Sequence, residues 1–443
     1  MKIGLSEHFT YGKLLRFTLP SICMMIFSSI YGVVDGFFVS NFAGEVPFAA
    51  VNFIMPFLMM LGALGFMFGT GGSALVAKTM GEGDKEKANK IFSLVLYVSI
   101  AVGIIVAILG VVFIRPIAKL LGAEGELLEN CVIYGRIILV ALPAFMLQME
   151  FQSLFVTAEK PKLGLFVTVA SGVTNMVLDA LLVGVLEGGL IGAAVATAIS
   201  QAVGGIVPLF YFARPNSSLL RLRKTNFDGK ALLKTCTNGS SELLSNVSMS
   251  LVGMLYNVQL LKYAGEDGVS AYGVLMYVGF IFLSAFIGYS VGIAPVVGFN
   301  FGSGNKKELK GLFKKSLCII SVGAVVMVSS CYAFSAPLSK LFVGYDAELL
   351  ELTCNAFNVY SFVFLLAGFS IFSSGFFTAL NDGLTSAVIS FLRTVVFQVG
   401  AVLILPMIWG TDGIWWSVVA SDAMAVLVSS IFIFAKRKKY GYI

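Results

Sequence analysis

The sequence predicts an all-α integral membrane protein of about twelve transmembrane helices, built as two six-helix bundles related by a parallel repeat. Three observations predict it. Of 443 residues, 58% are hydrophobic and only 12% charged, against roughly one quarter charged in soluble domains. Apolar runs long enough to cross roughly 30 Å of hydrocarbon recur near 17–40, 47–77, 92–114, 132–157, 163–185, 190–212, 239–261, 270–298, 316–338, 353–379, 385–408 and 414–435. The chain also repeats itself: Ala43-Gly-Glu45 returns as Ala264-Gly-Glu266, an offset of 221 residues that keeps matching Gly71 with Gly292 and Gly81-x-Gly83 with Gly302-x-Gly304. It matches Ser153-x-Phe155-x-Thr157-Ala158 with Ser374-x-Phe376-x-Thr378-Ala379 before slipping to 224, where Gly189, Ala196 and Thr197 meet Gly413, Ala420 and Ser421.

Taken in order, the first run contains Pro20, which removes a backbone donor and can bend the helix, and Asp35, an acid where lipid-facing chain should be apolar. The second and third are joined by Gly81-x-Gly83-Asp84, and the fourth holds Glu150 near mid-span. In the fifth, Asn175 precedes Asp179 by four residues and shares its helical face. The sixth carries Thr197. The basic, polar stretch from Arg214 to Lys230 then marks a joint, giving a first lobe at 1–213, a linker at 214–236 and a second lobe at 237–443. Glu242 lies near the start of the seventh run, where an acid favours a helix N-terminus. The eleventh holds Arg393 and the twelfth Asp422, at depths within an arginine's reach of one another, so an intralobe ion pair is expected.

Lys and Arg alternate between loops. One side collects Lys2, Lys13, Arg16, Lys78, Lys85, Lys87, Lys90, Lys160, Lys162, the 214–234 cluster, Lys306 to Lys315 and Lys436-Arg-Lys-Lys439. The opposite side has few cations amid Glu124, Glu126, Glu129, Asp346, Glu348 and Glu351. Short basic loops stay inside, so both termini are expected in the cytoplasm. The net charge of +6 is thus a topology signal and does not point to nucleic acid. The first apolar run is too long for a signal peptide and lacks a small-residue cleavage site. Six scattered cysteines without CxxC spacing and a lone histidine, His8, exclude a disulfide framework and a His-rich metal centre.

Burying an acid at membrane depth costs at least a few kcal/mol and usually serves transport or coupling. Counting 1.5 Å per residue from the loop ends, Asp35, Asp179 and Thr197 fall roughly 8–12 Å below the outer surface. If they converge with Asn175, their oxygens form a cage for Na⁺ or a carboxylate pair that shares a proton. The plainer alternative is buried structural hydrogen bonding. The repeat aligns Asp35 with Tyr256, Asn175 with Val396 and Asp179 with Gly400 or a near neighbour, all non-acidic, so the site is a specialisation of the first lobe. Glu150, Tyr256, Arg393 and Asp422 are the further cavity or second-lobe polar residues, Glu150 being placed to meet a cationic cargo in the cleft. No nucleophile–base pair, metal motif or cofactor loop marks an enzyme.

The chain resembles the multidrug and toxic compound extrusion (MATE) transporters over essentially its whole length. The resemblance rests on Pro20 with Asp35-Gly36, Gly81-x-Gly83-Asp84, Asn175-x-x-x-Asp179 and Gly189-x-x-Gly192-Ala-Ala-x-Ala-Thr197. It implies a secondary antiporter of a bacterial or archaeal cytoplasmic membrane that exports amphipathic, often cationic compounds against Na⁺ or H⁺. Asp35, Asn175, Asp179 and Thr197 would be the coupling site, and no other cofactor and a monomer are expected. The alternative within the superfamily is a flippase of lipid-linked oligosaccharide or another lipid.

Overall fold

The computed structural model describes residues 3–344 and 346–443; Lys2, counted above among the basic-side residues, lies outside them. The described residues form helices joined by turns and, between residues 213 and 229, one longer irregular stretch. They run α1 (Tyr11–Phe38), α2 (Glu45–Gly81), α3 (Lys85–Leu120), α4 (Gly125–Thr157), α5 (Pro161–Asp179) and α6 (Gly189–Ala213) in the first half. The second half contains α7 (229–264), α8 (Asp267–Gly302), α9 (Lys306–Val343), α10 (Ala347–Tyr360 continuing as Val363–Ala379), α11 (Gly383–Trp409) and α12 (Thr411–Tyr440). Ten of these are long and apolar enough to span a membrane, the bent α10 pair makes eleven, and the more polar α7 fills the twelfth position. This is an all-α membrane protein.

Local chemistry sets the boundaries. Thr10, Asp84, Asp228, Asn305 and Asp346 cap α1, α3, α7, α9 and α10 through their side chains, each satisfying amides that a helix start leaves free. The cap at Asp228 shortens the expected linker: the chain is irregular only to residue 228, and 229–236 is already helical. The tenth run is not one straight helix but two, bent by 45°. There the Ser361 hydroxyl donates back to Asn358 O at 2.7 Å, a side-chain competitor for the backbone ladder that bends helices.

The repeat persists in the backbone. Gly44 (φ 100°) and Gly265 (φ 65°) turn the chain at equivalent places, as do Gly83 (φ 91°) and Gly304 (φ 70°). These left-handed values strain residues with a Cβ.

Within the first half, α4 is the central helix: 61% of its apolar window is buried, against 44% for α2 and 33% for α3. The α3 residues Ile104, Ile105, Ile108, Leu109, Val112 and Phe113 stand exposed at helical spacing, an apolar face for lipid. The two halves meet through glycines on the Lys/Arg-rich face. A Cβ on Gly71 would stand 2.0 Å from Thr235 O, one on Gly239 1.9 Å from Met67 O, and one on Gly302 2.0 Å from Lys78 O. Small residues let helix backbones touch in this way, and they seal α2 against α7 and α8. Both chain ends lie on this face: Phe9 N donates to Glu308 Oε1 at 2.9 Å, and the Tyr442 ring packs 5.2 Å from Phe313.

Candidate functional site

Beyond the glycine seam the halves part around a cavity of about 400 Å³ lined by both. The first half contributes Met25, Ser28, Tyr31, Met59, Phe66, Phe145, Met149 and Gln152. The second contributes Glu242, Asn246, Tyr256, Tyr272, Met276, Tyr360, Arg393 and Asp422. Methionines and aromatics present soft, adaptable surface; the ionisable carboxylates and guanidinium among the lining are Glu242, Asp422 and Arg393.

The predicted acids come together beside this cavity. Asp35 is half-buried on α1, and Asp179 and Asn175, with 0% and 1% exposure, face it from α5. Thr197 on α6 donates from Oγ1 to Asp35 Oδ1 at 3.4 Å. Both Asp179 oxygens and both Asn175 amide atoms lack a hydrogen-bond partner. Buried polar atoms are nearly always satisfied, so such a cluster calls for a further occupant. Two carboxylates, an amide and a hydroxyl offer hard oxygen donors of the kind that hold Na⁺ or a proton. Among the described residues no three His, Cys, Asp or Glu side chains group as a metal site.

Helix irregularities aim these groups. The regular helix of α5 ends at Asp179, and a wider π turn runs from Ala180 to Val185; α1 likewise passes into a π turn at Val39–Ala43 after Asp35. Such turns recur at functional sites because they rotate a side chain off the regular helical pattern. Gly172 allows α5 to press on α1, since a Cβ there would stand 2.5 Å from the Phe27 ring and 3.1 Å from Tyr31.

Two tyrosines join the cluster without having been singled out for it. Tyr134 on α4 is fully buried, its hydroxyl unpartnered, and it faces Asp35, Asp179 and Thr197. Its depth below the α4 start is comparable to that used for Thr197, but depth alone does not say that it faces the acids. Tyr31 lies one turn before Asp35, near the acid, and lines the cavity.

In the second half the equivalent of Asp35 is Tyr256, whose hydroxyl pairs with Ser417 Oγ at 2.7 Å, with its ring stacked 5.4 Å from Tyr272. A neutral aromatic contact replaces the acid. Arg393, within a π turn at Leu392–Phe397, places Nε 2.7 Å from Asp422 Oδ1. Glu150 departs from its expected place: it is fully buried, faces Ser99 on α3, and is absent from the cavity wall. Glu242, expected as a helix cap, lies well inside α7 and lines the cavity; Asp228 caps that helix instead.

A family model described as MatE matches the chain twice, over residues 20–181 and 243–403. The chain belongs to the MatE family. Both matched segments carry cavity residues, and the first contains Asp35, Asn175 and Asp179. The multidrug export protein MepA of Staphylococcus haemolyticus (strain JCSC1435) is 25% identical over 435 residues, covering 98% of this chain and 95% of the relative. MepA of Staphylococcus aureus (strain MRSA252) is 24% identical, with 97% and 94% covered. A solved multidrug resistance MATE family transporter in its outward-facing conformation superposes with a TM-score of 0.91 at 23% identity, covering 97% of this chain and 98% of that one. A MOP superfamily transporter from Pyrococcus furiosus Vc1, described as having a binding pocket of reversed polarity, gives 0.90 at 22% identity, with 98% and 97% covered. The MatE chain described here shares their fold from end to end and is a MATE family transporter.

Proposed function

We propose that this transporter is a secondary antiporter that expels amphipathic, cationic organic compounds in exchange for Na⁺ or H⁺. The observation that carries the proposal is the facing pair Asp35 and Asp179, with Asn175 and Thr197 beside them and four buried atoms of Asn175 and Asp179 unpartnered. Two facing carboxylates, one half-buried and one fully buried, repel each other and call for a cation between them. A Na⁺ ion among the four side chains, or a proton on one acid, removes that cost. Tyr31, close to Asp35 and on the cavity wall, links the state of the cluster to the space that holds cargo. MepA's printed role as a multidrug exporter supports a drug cargo.

The basic face is taken as cytoplasmic, which puts both termini inside a bacterial or archaeal cytoplasmic membrane. The glycine seam then closes the inner side, and the cation enters from outside. Neutralising the acids relaxes α1 against α5 and α6, and the cavity releases its cargo outward. The two lobes, 1–213 and 237–443, move against each other as units of an alternating-access carrier, and one chain supplies both.

A lipid-linked pyrophosphate cargo would call for a free cation in the cavity. Among the described residues Arg393 is the one guanidinium on the wall, and Asp422 neutralises it at 2.7 Å while Glu242 adds another acid. The charge balance favours a cationic cargo. Purified protein in liposomes tests the proposal: a cationic fluorescent dye should move uphill when a Na⁺ or pH gradient is imposed and stay put without one. Dye that never moves under either gradient contradicts it.

A further inference from the structure

A groove of about 1330 Å³ lies on the basic face, apart from the transport cavity, between the start of α3, the end of the irregular stretch and the first turns of α7. Side chains of α3 fix its shape. Asn89, Ser93 and Tyr97, four residues apart and so on one helical face, each hold the irregular stretch: Asn89 Oδ1 accepts from Arg221 N at 2.6 Å, Ser93 Oγ accepts from Arg223 N at 2.8 Å, and Tyr97 Oη donates to Arg223 O at 3.5 Å. Asp228 then caps α7. Residues 224–228, between these two fixed points, line the groove.

Its lining is unevenly charged. Lys87 and Lys90 come from α3, and Lys224 and Lys230 from the opposite wall, against one acid, Asp228, whose Oδ1 already accepts from the Lys230 and Ala231 amides. Among the described residues Lys90 alone of the four lysines has an ion-pair partner, Glu86 at 2.7 Å. Unpaired cations gathered in a groove attract an anion. The same groove holds apolar side chains that no protein covers: Phe227 is 75% and Leu233 67% exposed. Exposed apolar groups among lysines suit the boundary between headgroups and acyl chains. The position on α3 agrees. Lys90, Tyr97 and Ile104 are all exposed and follow one another at seven-residue intervals, about 10 Å apart down one stripe of the helix. Charge, aromatic ring and aliphatic chain is the order in which a helix passes from headgroups into hydrocarbon. The groove therefore opens at headgroup level above the apolar face of α3.

We propose that this groove binds the headgroup of an anionic phospholipid from the leaflet on the basic side, its phosphate held by the groove lysines and its acyl chains running down α3 past Tyr97 and Ile104. Basic pockets beside membrane helices hold such headgroups. A free phosphate would meet the lysines but leave Phe227 and Leu233 in water, whereas a lipid satisfies both kinds of side chain. The walls come from α3 of the first half and α7 of the second, so one lipid touches both. The inference goes beyond the antiport proposal and depends on neither its ion nor its cargo.

The test places a tryptophan in the groove, Phe227→Trp, in the full-length chain with Trp409, Trp415 and Trp416 each replaced by phenylalanine. In neutral detergent the protein is titrated with phosphatidylglycerol or phosphatidylcholine carrying brominated acyl chains, which quench a nearby indole. Phosphatidylglycerol should quench at the lower concentration. A lysine near an anionic headgroup is worth roughly fivefold in affinity, so Lys87→Gln/Lys224→Gln/Lys230→Gln should raise the concentration for half quenching by about tenfold or more. The charge-matched Lys307→Gln/Lys310→Gln/Lys314→Gln, exposed elsewhere on the basic face, should leave it unchanged. Inorganic phosphate should not displace the lipid. If the tryptophan replacements unfold the chain, the protein with its native tryptophans is taken from vesicles of equal phosphatidylglycerol and phosphatidylcholine and its bound lipid is counted by native mass spectrometry. Wild type should then retain more phosphatidylglycerol than the groove triple variant. Equal response to the two headgroups, quenching or retention indifferent to the groove lysines, or displacement by phosphate overturns the proposal.

Discussion

The Arg393 guanidinium donates from Nε to Asp422 Oδ1 at 2.7 Å, joining α11 to α12 on the cavity wall with the acid 1% and the base 17% exposed. Each charge is tolerable there only because of the other. Removing one partner leaves an uncompensated buried charge, costing about 3–5 kcal/mol, whereas replacing both with apolar groups is often neutral. Asp422→Asn and Arg393→Met should each lower the thermal unfolding temperature in detergent, and the double variant Arg393→Met/Asp422→Leu should recover most of the loss. Additive losses would show that the pair does not act as a unit.

Gly239 gives a sharper steric prediction. A methyl group there meets Met67 O at 1.9 Å, backbone against backbone, where no rotamer change relieves it. Gly239→Ala should destabilise the sealed basic face by about 1–3 kcal/mol, the usual cost of overpacking. A cysteine placed on the cavity wall, Met249→Cys, should then react faster with thiol probes applied from the basic side. Gly253, with open space where a Cβ would stand, is the control: Gly253→Ala should leave probe access unchanged.

The segment before α1 straps the two halves together. Leu5 N donates to Glu159 Oε1 at 2.8 Å, while Phe9 N and His8 Nδ1 meet the Glu308 carboxylate at 2.9 and 2.6 Å. Lys315 Nζ adds a contact to Phe9 O. Glu308→Ala strands a buried amide, at about 1–3 kcal/mol. Hydrogen exchange should quicken over residues 3–10 and stay unchanged around Asp35 and Asp179.

Asp382 sets an acid limit to stability. Burial opposes its charge, but Tyr440 Oη donates at 2.7 Å, Thr385 contributes its amide, and Lys436 Nζ stands 3.3 Å away; together they hold the carboxyl below its usual range. A folded-state value below the unfolded one means that the contribution is complete above the unfolded value, about 3.9, and disappears as pH falls through the folded one. Thermal melts of Asp382→Asn should therefore lie below wild type near neutrality and converge with it in acid. A constant difference across the series would contradict this assignment.

Much of this molecule is readable before folding, for specific reasons. Acids amid apolar runs draw the eye to Asp35 and Asp179, the four-residue spacing brings Asn175 with them, and the depth count pairs Arg393 with Asp422. Other features are less legible. Tyr134 resembles any aromatic in an apolar run, and nothing in its own segment says that two acids face it. Glu150 sits in the part of α4 that is buried on every side, where periodicity cannot distinguish the face toward the cavity from the face toward α3. The bend at Ser361 depends on a hydroxyl choosing a backbone acceptor, and the start of α7 depends on Asp228 capping it, both decisions made by local geometry.

Linkage between cation and cargo tests the central claim most directly. Binding of a cationic fluorescent drug is titrated in detergent across pH and Na⁺ concentration, for wild type, Asp35→Asn and Asp179→Asn, with folding checked by melting. The account predicts that wild-type drug affinity falls as the coupling cation saturates the cluster, by about 5- to 150-fold for typical coupling energies. Both substitutions should make affinity independent of that cation. Wild-type affinity indifferent to pH and Na⁺, or substituted proteins that respond as wild type does, would contradict coupling at Asp35 and Asp179.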